Sequence, residues 1–320
     1  MVVERASAHF LSKPWGVLDL RPWSDARQDG GAIGEIRYER PNAAAESALL
    51  LKLLFTEQPL SIQVHPDDAL AHEMGLPCGK SEAWYILSAT AGAQVGLGLD
   101  QRLTPQQLRD AVCDGSISDL VRWRTVAPDD VVVVPAGTIH AIGAGLVIAE
   151  IQQRSDTTFR LFDYGRRREL HVEQAIAAAD AGPVGPEVGL EALTGPLDEA
   201  RTLLVANAHF VFERLDLAAK SAWRLDAERE TWLLVVSGSA RLGPFDLVSG
   251  DVVFAQADRT EIHPGATGMV GLVAYTGARR LPHLLQRSAQ PSSPDTERRQ
   301  GDSLTRAKAS PMGTRLGRTK

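Results

Sequence analysis

The sequence predicts a mainly β fold with a few short helices. Apolar or alternating runs of strand length recur from residue 34 to residue 275, whereas helical periodicity is confined to brief segments. Beyond about residue 200 the runs are short and separated by glycines, a spacing that is typical of a β-sandwich or a β-barrel.

The first half of the chain contains a series of predicted strands after an irregular start. Residues 1–24 are rich in turn-forming and aromatic residues and are expected to form a lead-in that packs against a sheet. Strands are predicted where the sequence alternates between apolar and polar residues or is apolar throughout: 34–40, 47–55, 60–65, 82–87, 93–99, 130–135, 146–152 and 159–163.

Helices are predicted for four short segments: 67–74, 103–112, 118–124 and 171–179. The second of these has the most complete start signal. Thr104 suits the N-cap, Pro105 the first helical position, and Gln107 the reciprocal position of a capping box.

A glycine- and proline-rich stretch at 182–195 predicts a linker and therefore two domains. We place the domains at 1–181 and 201–287, with the linker at 182–200. Residues 288–320 contain scarcely any apolar residues and are predicted to form a disordered basic tail. The second domain is predicted to contain only strands and turns, with tight turns at 236–240 and 248–252. Its strands are predicted at 202–205, 211–217, 231–237, 239–242, 246–248, 251–255 and 269–275.

The charge distribution argues against nucleic acid as the main partner. Residues 288–320 hold seven Lys/Arg and three Asp/Glu (net +4), while the other 287 residues hold 27 basic and 37 acidic residues (net −10). No run approaches the length of a membrane span, and no signal-peptide pattern is present. With only Cys78 and Cys113, the sequence predicts a cytoplasmic protein without disulfides or membrane partners.

The candidate chemistry begins at Gln63 and His65, which alternation places on one face of a strand. A metal site of this kind needs three or more protein ligands. Glu82 follows a turn at the start of a strand, and His140 follows a Pro-Ala-Gly turn at the end of another. Taken singly, each is most often an ordinary structural group, but together two imidazoles, a carboxylate and an amide oxygen suit zinc. Two histidines and one carboxylate also describe the iron site of a dioxygenase.

Four motifs, in order, resemble those of type I mannose-6-phosphate isomerase, a zinc enzyme of the cupin class, in its short bacterial form. They are Leu-Ser-Ile-Gln-Val-His-Pro-Asp at 60–67, Gly-Lys-Ser-Glu-Ala-Trp-Tyr at 79–85, Pro-Ala-Gly-Thr-Ile-His-Ala at 135–141, and Glu150 followed by Ser-Asp-Thr-Thr-Phe-Arg at 155–160. The resemblance extends from about residue 15 to residue 275. It implies two tandem cupin barrels, of which only the first, within 1–181, holds metal.

The resemblance also implies the activity, the cofactor and the residues of the site. The activity is the interconversion of mannose 6-phosphate and fructose 6-phosphate through an enediol, with one zinc ion per chain and a small sugar phosphate as partner. Lys80, Glu150 and Arg160 fall at active-site positions, with Glu150 as the candidate base, while Ser61, Lys80 and Arg160 are expected to bind substrate. The implied zinc ligands are Gln63, His65, Glu82 and His140.

Two features of the sequence bear on this expectation, and two alternative functions stay open. Asp129 stands where cupins usually have a glycine, and this change is expected to affect only a turn. Trp84 and Tyr85 could line a sugar site, but alternation lets only one of them face inward. The alternatives to an isomerase are an iron-dependent dioxygenase and a cupin that binds sugar without catalysis.

Overall fold

The computed structural model describes residues 2–25, 31–41, 46–185, 195–196 and 199–288. Within these residues the chain forms 21 strands and four helices, which confirms the prediction of a mainly β fold. The helices are α1 Asp68–Glu73, α2 Pro105–Asp114, α3 Ile117–Leu120 and α4 Val172–Ala178. Most of the predicted linker and nearly all of the predicted tail lie outside the described residues.

Twelve strands lie in the first half of the chain, as far as residue 162. They are β1 Val2–Arg5, β2 Ser7–Val17, β3 Ile33–Glu39, β4 Leu49–Thr56, β5 Ile62–Val64, β6 Glu82–Ala89, β7 Gln94–Leu99, β8 Val121–Thr125, β9 Val131–Val134, β10 His140–Ile142, β11 Leu146–Gln153 and β12 Phe159–Phe162.

Nine strands follow in the second half. They are β13 Gly195–Pro196, β14 Arg201–Ala206, β15 Phe210–Leu217, β16 Trp223–Ala227, β17 Thr231–Leu242, β18 Phe245–Val248, β19 Val252–Gln256, β20 Asp258–Thr276 and β21 Leu285–Arg287.

The strands pair antiparallel in three sheets. Two sheets belong to the first half and run in the orders β2-β3-β4-β11-β6-β9 and β12-β5-β10-β7-β8. The third contains all strands of the second half together with β1 from the N-terminus. The candidate ligands therefore come from both sheets of the first half, since β5 and β10 belong to one sheet and β6 to the other.

One hydrophobic core is shared by the two halves. It joins Phe55 and Tyr85 of the first half to Phe212, Trp232 and Phe254 of the second, all of them nearly inaccessible to solvent. Burial of large aromatic side chains is among the strongest contributions to folding. The predicted division into two tandem barrels at 182–200 stays a prediction.

The helix α2 begins as predicted. The Thr104 hydroxyl accepts the backbone N–H of Gln107 at 3.3 Å, and the Gln107 side chain accepts the N–H of Thr104 at 2.8 Å. This capping box satisfies two amide groups that the helix itself leaves unpaired, and such a cap stabilises a helix by about 1 kcal/mol.

Three local predictions are wrong. The irregular lead-in contains β1 and β2, because its backbone pairs with β19 and β3 at sheet edges. The helix predicted at 118–124 ends at Leu120, and the next residues form β8, which pairs with β7. The turn predicted at 236–240 is a register shift within β17, where Gly238 takes a positive φ of 77°.

Two further observations concern the hydropathy of the helices and the state of the cysteines. None of the described helices combines the length and hydropathy needed to cross a bilayer. Cys78 and Cys113 are both free thiols, as the sequence predicts.

Candidate metal centre

The strand β5 brings three candidate residues onto one face of a sheet. Gln63 lies directly opposite His140 on β10 and directly opposite Arg160 on β12. Residues opposite each other on neighbouring strands point to the same side of the sheet. The pairing therefore sets an amide, an imidazole and a guanidinium side by side.

The other sheet of the first half contributes Glu82, the first residue of β6. One Glu82 oxygen lies 3.6 Å from Nε2 of His65, and the other lies 3.4 Å from Nε2 of His140. The ligand atoms of the three residues lie within 4.8 Å of one another, and all three side chains are buried. In the part of the chain that the structure describes, this is the only such group of His, Cys, Asp and Glu side chains.

Hydrogen bonds fix both imidazoles in the form that binds metal. Nδ1 of His65 lies 2.8 Å from the carbonyl oxygen of Thr157, and Nδ1 of His140 lies 2.9 Å from that of Thr138. A carbonyl oxygen can only accept, so each Nδ1 carries the proton and each Nε2 presents a lone pair to the centre. Burial lowers the pKa of His65 well below its usual value and that of His140 to about 4, so both rings are neutral.

Gln63 lies beside His140, on the neighbouring strand of the same sheet. Its amide nitrogen lies 3.2 Å from Nε2 of His140, and Ser61 donates its hydroxyl hydrogen to the amide oxygen at 3.1 Å. The amide nitrogen and oxygen have nearly the same shape, so the amide can also lie rotated by 180°. In that orientation the oxygen lies beside His140, and the Ser61 hydroxyl accepts a hydrogen bond from the amide nitrogen. These donor atoms fit a divalent metal ion, which His65, Glu82 and His140 can bind.

Lys80 lies against the candidate ligands rather than at the surface. Its ammonium group is buried, 2.9 Å from Glu82 and 3.1 Å from Nε2 of His65. Burial opposes the charge on Lys80, but the carboxylates of Glu82 and Glu150 outweigh this effect and raise the pKa of the lysine. The ammonium is thus a fixed positive charge beside the metal group.

The turn that carries Lys80 is held by close backbone packing. The N–H of Gly79 donates to the Asp68 side chain at 2.8 Å, and the N–H of Lys80 donates to the carbonyl of Pro66 at 3.0 Å. A Cβ atom at Gly79 would lie 2.5 Å from the backbone carbon of Asp67, so only glycine fits this approach.

Glu150 lies on β11, beside β6, and is almost wholly buried. Burial, followed by repulsion from Glu82, raises the pKa of Glu150. One of its oxygens lies 3.5 Å from the ammonium of Lys52. A desolvated carboxylate of this kind is a stronger base than one in water.

Arg160 is half-buried and donates to the carbonyl oxygen of Glu169 at 3.3 Å, with His171 Nδ1 at 3.4 Å. The nearby carboxylates of Asp156 and Asp163 form ion pairs with other cations. Among the described residues no carboxylate lies within ion-pair distance of the Arg160 guanidinium. This cation therefore retains the capacity to bind an anionic ligand.

The chain is similar to known proteins in both sequence and structure. No family model matches the chain. The mannose-6-phosphate isomerase of Bacillus subtilis is 35% identical over 216 residues (64% of this chain, 65% of that protein), and that of Streptococcus mutans is 41% identical over 140 residues (42% and 44%). The predicted resemblance to mannose-6-phosphate isomerases is confirmed. Each match spans less than two thirds of the relative's own length.

Solved structures of mannose-6-phosphate isomerases share this fold. The Bacillus subtilis isomerase superposes with a TM-score of 0.74 at 24% identity, covering 86% of this chain and 100% of that one. The apo enzyme from Salmonella typhimurium gives 0.68 at 15% identity, covering 86% and 99%. At these identities the likeness establishes the fold.

Sequence reasoning missed two buried residues next to the site, Lys52 and Glu35. Lys52 lies between Glu150 and Glu35, 3.4 Å from the latter, and Lys13 reaches Glu35 at 3.1 Å. The signal was present, since Lys52 is the one charged residue in the otherwise apolar run of β4. A strand buried on both faces excludes lysine unless a carboxylate pairs with it.

Trp84 and Tyr85 lie on opposite faces of β6, and Trp84 is the one that faces the candidate ligands. Trp84 packs on the side of Glu82 and His140, with its ring centroid 5.6 Å from that of His140. Tyr85 belongs to the core shared by the two halves. Asp129 takes a positive φ of 73°, which explains why a glycine suits this position.

Proposed function

We propose that the chain is a zinc-dependent aldose–ketose isomerase that interconverts mannose 6-phosphate and fructose 6-phosphate. The observation that carries the proposal is the buried convergence of His65, Glu82 and His140, with the Lys80 ammonium within 3.1 Å of two of them. The similarity to curated mannose-6-phosphate isomerases supports the choice of substrate.

One zinc ion per chain would be held by Gln63, His65, Glu82 and His140. When bound, zinc supplies Lewis acidity that stabilises negative charge on the substrate oxygens. Two neutral imidazoles favour zinc over magnesium or calcium, which prefer oxygen ligands.

Glu150 is proposed as the base that moves the proton between carbon atoms. It removes the proton from C2 of mannose 6-phosphate while the C1 carbonyl oxygen gains a proton, giving the enediol. Return of a proton to C1, with loss of the proton on O2, gives the ketone. The raised pKa of Glu150 supports this role, because a base with a pKa nearer neutrality both takes up and returns a proton readily.

Lys80, whose ammonium lies at the metal group, is proposed to transfer the proton that moves on and off the substrate oxygens. Arg160 and Ser61 are proposed to bind the phosphate, with Lys80 contributing positive charge. A guanidinium is suited to bidentate binding of phosphate oxygens. Arg160 supports this assignment because it shares a sheet face with Gln63 and has no acidic partner among the described residues.

We further propose that residues 1–181 form the catalytic cupin barrel, 182–200 a linker and 201–287 a metal-free second barrel. The pattern Glu-x-Trp recurs at Glu230 and Trp232, where Glu230 directly precedes β17 and Trp232 lies within it, and this recurrence supports an internal repeat. The free thiols of Cys78 and Cys113 accord with a cytoplasmic location.

The proposal is tested by following mannose 6-phosphate with the purified full chain and identifying the product by NMR. The expected result is fructose 6-phosphate at equal rates with and without oxygen, with the activity lost on chelation and restored by zinc. Binding of the sugar phosphate without turnover would indicate a sugar-binding protein. A requirement for oxygen would indicate a dioxygenase.

A further inference from the structure

Trp84 is placed between the two carboxylates of the candidate site. Glu82 and Trp84 lie on the same face of β6, and Trp84 is directly opposite Glu150 on β11. The indole Nε1–H lies 3.2 Å from one oxygen of Glu82 and 3.2 Å from one oxygen of Glu150. One hydrogen is therefore shared by two carboxylates.

The shared hydrogen bond matters because both carboxylates are buried. Glu82 is 1% and Glu150 4% exposed, so water does not screen their repulsion. An N–H between them offsets part of this repulsion and fixes one oxygen of each group. The oxygen of Glu82 that accepts from Trp84 is also the one that lies 3.4 Å from His140.

We propose that Trp84 is a positioning residue that sets the geometry of Glu82 toward the metal and of Glu150 toward the substrate through this one N–H group. The effect on Glu82 concerns metal binding alone. The effect on Glu150 rests on the proposed isomerase function. The same indole thus links the metal group to the proton-transferring carboxylate.

The second half of the chain supplies a matched control. Trp232 is also fully buried and donates its Nε1–H to Glu230, two residues earlier, at 3.0 Å. Glu230 accepts backbone N–H groups from Ala48 and Leu49 and belongs to no group of candidate metal ligands among the described residues. Trp232→Phe therefore removes the same kind of bond from a buried glutamate away from the metal centre.

The first experiment measures zinc affinity of the full chain by competition with a chelator. Trp84→Phe removes the N–H while keeping an aromatic ring, and we expect it to weaken zinc binding by about 10- to 100-fold, the range for residues that orient metal ligands. Trp232→Phe is expected to change the affinity by less than about twofold. Equal zinc affinities of the two variants would overturn the role assigned toward Glu82.

The second experiment measures kcat and KM on mannose 6-phosphate at saturating zinc. Trp84→Phe is expected to lower kcat by about 10- to 100-fold with little change in KM, and to have a much smaller effect when Glu150→Gln is already present. Equal effects in the two backgrounds would overturn the role assigned toward Glu150. If the wild-type chain shows no isomerase activity, the proposed function fails, while the zinc affinities still decide the role toward Glu82.

A third measurement covers the case in which Trp84→Phe does not fold. The chain has six tryptophans, and ¹⁵N-labelling of their indoles gives each Nε1–H its own resonance. Glu150→Gln should shift one strongly hydrogen-bonded indole resonance that Glu230→Gln leaves in place. If Glu150→Gln shifts none of the indole resonances, the shared hydrogen bond does not exist and the proposal falls.

Discussion

Gln63 and Arg160 lie directly opposite each other on the antiparallel strands β5 and β12. Neighbouring strands are about 5 Å apart, so a candidate metal ligand and a candidate phosphate-binding cation share one face at adjacent positions. A sugar phosphate lying across this sheet could reach the metal group with its carbonyl end and Arg160 with its phosphate. The role proposed for Arg160 is therefore separable from metal binding.

Replacing Arg160 should therefore reduce turnover without loss of metal. We expect Arg160→Ala to lower kcat/KM for mannose 6-phosphate by about 100-fold, the usual cost of removing a fixed charge from a reacting anion. Zinc per chain, measured by elemental analysis, should stay at the wild-type level. Arg160→Lys should recover only part of the activity, because it cannot form a bidentate contact. Unchanged turnover in the alanine variant would remove Arg160 from the site.

Replacing His140 should give the opposite pattern, in which metal and activity are lost together. His140 presents its Nε2 lone pair to the group and is wholly buried. We expect His140→Ala to weaken zinc binding by at least about tenfold. His263→Ala, an exposed histidine of the second half, is the control and should retain zinc. A fully metallated His140→Ala protein would contradict the proposed ligand set.

Glu35 should make stability depend on pH in the acid range. Burial opposes its charge, but Lys52, Lys13 and Arg37 outweigh burial and lower the pKa of Glu35 from 4.5 to about 2. A carboxyl whose pKa is lowered by folding stabilises the protein above its unfolded pKa, and this contribution is lost as the pH falls through the folded value. The effect is therefore complete above about pH 5 and declines toward pH 2.

The comparison of wild type with Glu35→Gln isolates this effect. The difference in the free energy of unfolding, measured by urea denaturation of the chelated proteins, should shrink by about 1.4 kcal/mol between pH 7 and pH 3.5. The chelator keeps zinc binding out of the comparison. A difference that stays constant with pH would show that Glu35 is not held as a buried anion.

Asp129 offers a test of the departure from the cupin pattern. Its carboxylate accepts hydrogen bonds from Tyr85 and from Arg214, the latter at 2.9 Å, so the residue links the two halves of the chain. Asp129→Ala loses these bonds and keeps the positive φ, whereas Asp129→Gly loses the bonds but relieves the backbone. We expect the alanine variant to be less stable than the glycine variant by about 1 kcal/mol in urea denaturation. Equal stabilities would show that the turn is not strained.

The sequence alone could predict the candidate ligands because their signals are local. Alternation places Gln63 and His65 on one face, and the Pro-Ala-Gly turn at the end of a buried strand marks His140. The helix α2 was predictable for the same reason, since its capping box lies within four residues. Predictions failed where a distant partner decides the structure, as at β8, which forms a strand because β7 pairs with it.

The surroundings of the site could not be predicted, because they depend on which strands become neighbours. Lys52 is explained only when Glu35 and Glu150 are seen on the adjacent strands β3 and β11. The bond from Trp84 to Glu150 likewise requires the register of β6 on β11. The expectation that Asp129 affects only a turn was incomplete, since its contact with Arg214 joins residues 85 positions apart.

The most direct test of the central claim is a zinc titration of the metal-free full chain, with isomerisation of mannose 6-phosphate as the readout. The initial rate should rise in proportion to added zinc and level off at one equivalent per chain, and the His140→Ala protein should show no such rise. A rate that is the same without zinc, or that stays at zero at every zinc concentration, would contradict the account.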